Sequence, residues 1–194
     1  MYMSLQITNG WYPSAKQHLL ADHYGIGSMQ KRNTIILHIT EGTTAEGAIA
    51  TFESSVAPHR VSAHFVIDRD GTVTQLVSIW NTAWHASQAN LHSVGIEHVA
   101  LSAAGAAALN KRYPAHVPWT EMLATEEQYK SSAKLIQWLC SAMGIKCDRA
   151  HIRTHQEASP ADHHTLCCTG ALDPDRVVEM AAHLNPVSLP IAKV

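Results

Sequence analysis

The side chains best suited to chemistry fall in two stretches far apart in the chain. His38 interrupts a β-branched apolar run, Thr34-Ile-Ile-Leu-His-Ile-Thr40. An imidazole inside such a strand must have its ring nitrogens paired, because burying them unsatisfied costs on the order of 1–3 kcal/mol. A backbone carbonyl would satisfy a lone core histidine, so the second stretch decides what His38 is for. From His155 the sequence runs Gln-Glu-Ala-Ser-Pro-Ala-Asp-His-His-Thr-Leu to Cys167-Cys168-Thr169-Gly170, one imidazole before a loop that ends in thiols, with no regular element across it. Imidazole and thiolate form a borderline-soft set that suits zinc. Three protein ligands with an open fourth position make such a site catalytic, whereas four make it structural. The 14 His equal Lys and Arg combined, so imidazole is in ready supply.

Bringing His38 to His155 requires a framework, and the hydrophobic pattern predicts one. Thr34 to Thr40 reads as a central strand buried on both faces. Thr43 and Glu46 form a capping box opening a helix through Ile49 and Phe52. Strands from Ala63 to Asp68 and from Thr72 to Ser78 meet across Asp68-Arg-Asp-Gly71, a tight-turn composition, and predict a hairpin. Ser93 to Leu101 is another apolar strand, and residues 102 to 124, Ala-rich and then Pro-punctuated, read as a long loop. A second capping box, Thr125 with Gln128, starts a helix carrying Tyr129, Ala133, Ile136 and Cys140 until Gly144 stops it. Asp173 and Pro174 then cap a last helix with Val177, Val178, Ala181 and Leu184 on one face. Interleaved strands and helices predict an α/β fold, a mixed central sheet flanked by helices.

Composition narrows the function classes. A chain of 194 residues, 46% hydrophobic, supports one domain, with its core at about residues 30 to 185. A formal charge of −2 without any Lys/Arg-rich run excludes the electrostatic footprint of nucleic-acid or anionic-membrane binding. Met1 to Gln6 lacks the basic region and apolar run of a signal peptide, and no stretch reaches membrane-spanning length, so synthesis in the cytoplasm is expected. In that compartment Cys140, Cys147, Cys167 and Cys168 read as ligands or core residues before disulfides. Adjacent Cys167 and Cys168 would bridge each other only with severe strain.

Four blocks, taken in order and spacing, are specific: Ile36-Leu-His38-Ile-Thr40; Val61-Ser-Ala-His64-Phe-Val-Ile-Asp-Arg-Asp-Gly71; Ala83-Trp84-His85-Ala86 with Ser93-Val-Gly-Ile-Glu97; and Thr154-His155 through Cys168-Thr-Gly170. Together they resemble the type-2 N-acetylmuramoyl-L-alanine amidases, which include phage amidase-type lysozymes and are related to peptidoglycan recognition proteins. The resemblance spans about Ile35 to Leu172. It implies an amidase/recognition-protein-like domain holding one zinc ion through His38, His155 and a cysteine that in relatives precedes Pro-Gly. Aligning Cys168-Thr169-Gly170 with that motif selects Cys168, whereas a Thr two residues before the ligand selects Cys167; Cys168 is the preferred match.

The same resemblance assigns Glu97 as acid/base, the role proposed for a Glu at this place in some members, although others lack it; the plain alternative is an outward-facing strand carboxylate. His64, Trp84 and His85 are expected to contact substrate or orient groups in the cleft, with a satisfied core imidazole the alternative for His64 and core packing that for Trp84. Trp119 could also stack on sugar, while Trp138 reads as structural. The Lys that stabilises the oxyanion in many amidases is replaced by Leu166 or Thr165, leaving His163 and His164 as the nearest donors, or as solvated loop residues.

The function implied is zinc-dependent hydrolysis of the bond between N-acetylmuramic acid and L-alanine in peptidoglycan, by a monomer that acts on the cell wall as a phage endolysin. The alternatives are a cytosolic amidase recycling muropeptides and a non-catalytic peptidoglycan-binding module. A structural zinc in an unrelated fold would use four protein ligands, for which the second cysteine is available.

Overall fold

The computed structural model describes residues 10–26, 32–113, 118–162, 167–168 and 170–184. Its strands are β1 (Lys16–Gln17), β2 (Tyr24–Gly25), β3 (Thr34–Ile39), β4 (Phe65–Ile67), β5 (Val73–Gln75), β6 (Thr82–Ala83), β7 (Ser93–His98) and β8 (Ile152–Thr154). Its α-helices are α1 (Ala45–Ser54), α2 (Ala103–Arg112), α3 (Glu126–Met143), α4 (His155–Ala158) and α5 (Pro174–His183). Six strands form one mixed sheet in the order β1-β5-β4-β7-β3-β8, parallel throughout except for the β4–β5 hairpin; β2 and β6 form a small antiparallel pair. This is the mixed sheet flanked by helices that the sequence predicts.

Side-chain alternation divides the sheet into two faces. Ile35, Leu37 and Ile39 of β3, Phe65 and Ile67 of β4, and Val94 and Ile96 of β7 share a cluster with Leu135, Ile136, Leu139, Val177 and Ala181 of α3 and α5. Val66 points the other way and packs with Ala45 and Phe52 of α1. Removing one such aliphatic side chain from water contributes about 1.5–3 kcal/mol. The α3–α5 face is therefore the closed one; the polar side chain it takes from β7, His98, is fully buried and bonded to His38 O and to Ser132 Oγ of α3, whereas His38 and Glu97 lie on the other face.

Local chemistry explains the ends. The Thr125 hydroxyl accepts from Gln128 N, and Gln128 Oε1 accepts from Thr125 N at 2.9 Å, completing the predicted box. Gly144 stops α3 in the left-handed region at φ +65°. Asp173 Oδ1 accepts from Asp175 N and Arg176 N to start α5. In the hairpin Gly71 (φ +84°) lies so close to α3 that a Cβ would meet Glu127 O at 2.8 Å.

Three expectations change. The cap of α1 is Thr44, which accepts from Gly47 N at 3.0 Å, rather than Thr43. Residues 102–124 are not one long loop, because Ser102 caps the ten-residue α2 by accepting from Gly105 N. Among its residues only Ala106 is buried, so no apolar stripe advertises the helix. The stretch after His155 also holds regular structure, α4 and a 3-10 turn at Pro160–Asp162.

Gln128 ties the helix to the sheet. It is fully buried, and its Nε2 donates to Ile67 O at 3.0 Å and Val99 O at 3.1 Å. A Gln128→Leu variant leaves the Thr125 N–H without its acceptor and takes one donor from each carbonyl, which keep Val99 N (on Ile67 O) and Arg69 (on Val99 O), and urea unfolding should show a loss of about 1–3 kcal/mol.

Candidate active site

Parallel pairing of β3 with β7 sets His38 opposite Glu97 and Ile36 opposite Gly95. With Leu37 and Ile96 in the closed core, His38 and Glu97 share the open face. There they line a groove of about 1420 Å³ bounded by α1, α2, Trp84, His85, His155, Asp162 and Cys167.

His155 arrives by a short route. β8 pairs with β3 on the side away from β7, with Thr154 opposite Leu37, so the next residue emerges beside His38. Thr154 and Glu157 form a capping box that turns the chain into α4 at this point. The His38 and His155 rings stand edge-on with centroids 4.9 Å apart. Cys167 closes the triangle: its Sγ is 3.8 Å from His38 Nδ1, and one donor atom each of His38, His155 and Cys167 lie within 4.8 Å of one another.

Of the two cysteines weighed, it is Cys167 and not the preferred Cys168 that the structure brings beside His38 and His155. Cys168 adopts φ +69°, a left-handed conformation unusual for a residue with a Cβ, and this sends adjacent cysteines in different directions. Cys167 faces the groove, whereas Cys168 is 3% exposed and donates from Sγ to Leu37 O at 3.2 Å.

Electrostatics favour a cation among these groups. The neighbouring Cys168 side chain, opposed by burial and reinforced by His155 and His38, holds the Cys167 thiol far below its usual range. Burial works to lower the His155 pKa, but hydrogen bonds to Cys167 and to Asp162, whose Oδ2 lies 3.0 Å from Nε2, raise it overall. Both shifts favour positive charge between His155 and Cys167, which is where a metal cation would take its place. Tetrahedral zinc with bonds of about 2.0–2.3 Å needs donors about 3.3–3.8 Å apart, so small side-chain movements suffice.

Glu97 is half-buried beside this cluster, and its Oε2 has no hydrogen-bond partner among the described residues. Burial raises its pKa to about 7, against the lowering effect of His38. A carboxyl poised near neutrality can both take and return a proton.

The other expected residues separate. Trp84 lines the groove, half-buried. His85 lines it too, but both ring nitrogens are engaged by the protein, Nδ1 with His38 Nε2 at 3.0 Å and Nε2 with Ser93 Oγ at 3.2 Å. His64 does not reach the groove surface, contrary to a substrate-contact role: it is fully buried, accepts from Gly95 N at Nδ1 and bonds Asn81 O through Nε2. Burial, helped by Arg32, drops its pKa to about 3. Trp119 donates from Nε1 to Leu101 O and packs near Gly170, while Trp138 is buried against Tyr12. His163, His164, Thr165 and Leu166 lie outside the described residues.

Sequence reasoning missed Asp162 and Arg32. Buried Arg32 donates to the carbonyls of Ile79, Asn81, Asn90 and Ser93, setting a positive charge behind His64 and His85. Neither residue belongs to a periodic pattern, so only the tertiary structure reveals it.

The family model described as N-acetylmuramoyl-L-alanine amidase matches residues 28–174. Over 141 residues the chain is 31% identical to N-acetylmuramoyl-L-alanine amidase A of Achromobacter lyticus, covering 72% of this chain and 66% of that protein's length. Its fold is similar to that of an AmpD selenomethionine derivative (TM-score 0.68, 21% identity, 89% of this chain and 97% of that one). It is also similar to the endolysine N-acetylmuramoyl-L-alanine amidase LysCS of Clostridium intestinale (TM-score 0.57, 17% identity, 81% and 88%). Fold and site thus define an amidase domain. The chain belongs to the N-acetylmuramoyl-L-alanine amidase family.

The Glu97 shift predicts a stability signature in metal-free protein. Its folded pKa of about 7 exceeds the ordinary 4.5, so its contribution is fully present below pH 4.5 and lost as pH rises through 7. Relative to wild type, Glu97→Gln should gain stability between pH 4.5 and 8, by at most about 3 kcal/mol. Parallel denaturation curves for the two proteins across that range would contradict the shift.

Proposed function

We propose that this chain is a zinc-dependent hydrolase of the amide joining N-acetylmuramic acid to L-alanine in peptidoglycan. The observation that carries the reading is the convergence of His38, His155 and Cys167 on the groove floor, with Glu97 beside them. Those three residues would hold a single zinc ion, which when bound supplies the Lewis acidity that acidifies water and polarises a carbonyl.

The protein's own groups do the rest. The Glu97 carboxylate takes the proton of the attacking water as its oxygen adds to the lactyl carbonyl carbon. The resulting carboxylic acid then returns that proton to the alanine nitrogen as the C–N bond breaks, leaving a muramyl carboxylate and a free peptide amine. Trp84, on the groove wall, offers an aromatic face for a sugar ring. At about 1420 Å³ the groove is large enough for a sugar and its attached peptide together, and we favour the endolysin setting among those open to such a groove. Among the described residues no helix is long and apolar enough to cross a membrane.

Metal analysis should find one zinc in wild type and in Cys168→Ser, and none retained by Cys167→Ser; equal zinc in both variants would refute the ligand assignment. Glu97→Gln should keep its zinc while kcat for amine release from purified walls falls about 10²–10⁴-fold. Faster cleavage of soluble 1,6-anhydro-muropeptide than of intact sacculi would replace the endolysin setting with muropeptide recycling.

A further inference from the structure

His85 sits one layer behind the ligands, and its surroundings fix which of its nitrogens carries a proton. The Ser93 hydroxyl donates to Ala89 O at 2.7 Å, so toward His85 Nε2, 3.2 Å away, its oxygen can only accept. His85 therefore carries hydrogen on Nε2 and presents a bare Nδ1. That lone pair faces His38 Nε2 at 3.0 Å, with the two rings edge-on at 88°. His38 must then be protonated at Nε2, which leaves its Nδ1, the atom nearest Cys167, free to bind a cation.

We infer that His85 is a positioning residue, holding His38 in the one tautomer and ring orientation that offers Nδ1 to zinc. This rests on the zinc reading above and assigns a role that substrate contact does not cover. The surrounding structure is built to keep His85 in place. Asn90 Oδ1 accepts from both His85 N and Ala86 N, at 3.0 and 2.7 Å. Beneath the ring, Gly95 leaves room that no other residue could: a Cβ there would lie 2.6 Å from both Cγ and Nδ1 of His85. His64, edge-on to His85 with centroids 5.7 Å apart, secures that glycine by accepting from its N–H. Partners of this kind on a ligating histidine are worth about 10–100-fold in metal affinity.

The test compares His85→Leu, which keeps bulk without an acceptor, His85→Asn, whose Oδ1 falls near the lost Nδ1, and Gly95→Ala, which displaces the ring while leaving its chemistry intact. Zinc affinity is read by competition with a chromogenic chelator, and kcat and KM on muropeptide at saturating zinc. Leu and Gly95→Ala should weaken zinc about 10–100-fold and lower kcat with little change in KM, and Asn should recover most of the affinity. Wild-type zinc affinity in His85→Leu, or a rise in KM alone, overturns the inference, as does an Asn variant no better than Leu. Should the variants fail to fold, two-bond ¹H–¹⁵N spectra of zinc-loaded wild type decide: His38 protonated at Nε2 supports the role, and protonation at Nδ1 ends it. Wild-type protein that takes up no zinc overturns the reading of the metal site itself, and this inference with it.

Discussion

Two imidazoles and a sulfur, all electron-pair donors, crowd together on one side of a sheet whose other side is sealed by α3 and α5. With Cys167 as a thiolate such a cluster calls for positive charge, because an anion removed from water is costly unless a cation stands beside it. Against the lowering effect of burial, hydrogen bonds to Cys167 and Asp162 raise the His155 pKa, the direction that supplies such charge. Burial, opposed by His38 and helped by Cys167, raises the Glu97 pKa to about 7, so a second negative charge beside the sulfur is disfavoured.

The sheet meets this demand through strand order. β3 is paired on both edges, to β7 and to β8, so residues distant in sequence reach its end from opposite sides. Period-two alternation then assigns every side chain: odd-numbered Ile35, Leu37 and Ile39 seal the core, and His38 is committed to the groove with Glu97 across from it. A one-residue slip between β3 and β7 would set Ile96 or His98 opposite His38 in place of Glu97. Long-range backbone pairing, more than any side-chain contact, keeps the candidate site assembled.

How much of this could be read beforehand varies with the physics. β3, β7 and the caps of α3 and α5 were legible because their signals are local: an apolar run, or a hydroxyl three residues before an amide that needs it. β8 was not, being three residues long with Arg153 exposed at its centre. α2 was hidden by its alanines, which favour a helix but mark no buried face. His38, His155 and Glu97 could be picked out by type and block, yet the choice between neighbouring cysteines turned on a single backbone dihedral at Cys168. His64 looked identical in kind to His85, and only tertiary burial distinguishes a support from a groove wall.

The stretch from α4 to the cysteines is pinned to main-chain oxygens at both ends, Ser159 Oγ on Ala86 O and Cys168 Sγ on Leu37 O. Because Leu37 directly precedes His38, the anchor at Cys168 ties the neighbouring sulfur of Cys167 to the same strand that carries the first imidazole. A shift of β3 would therefore carry both groups together and preserve their spacing.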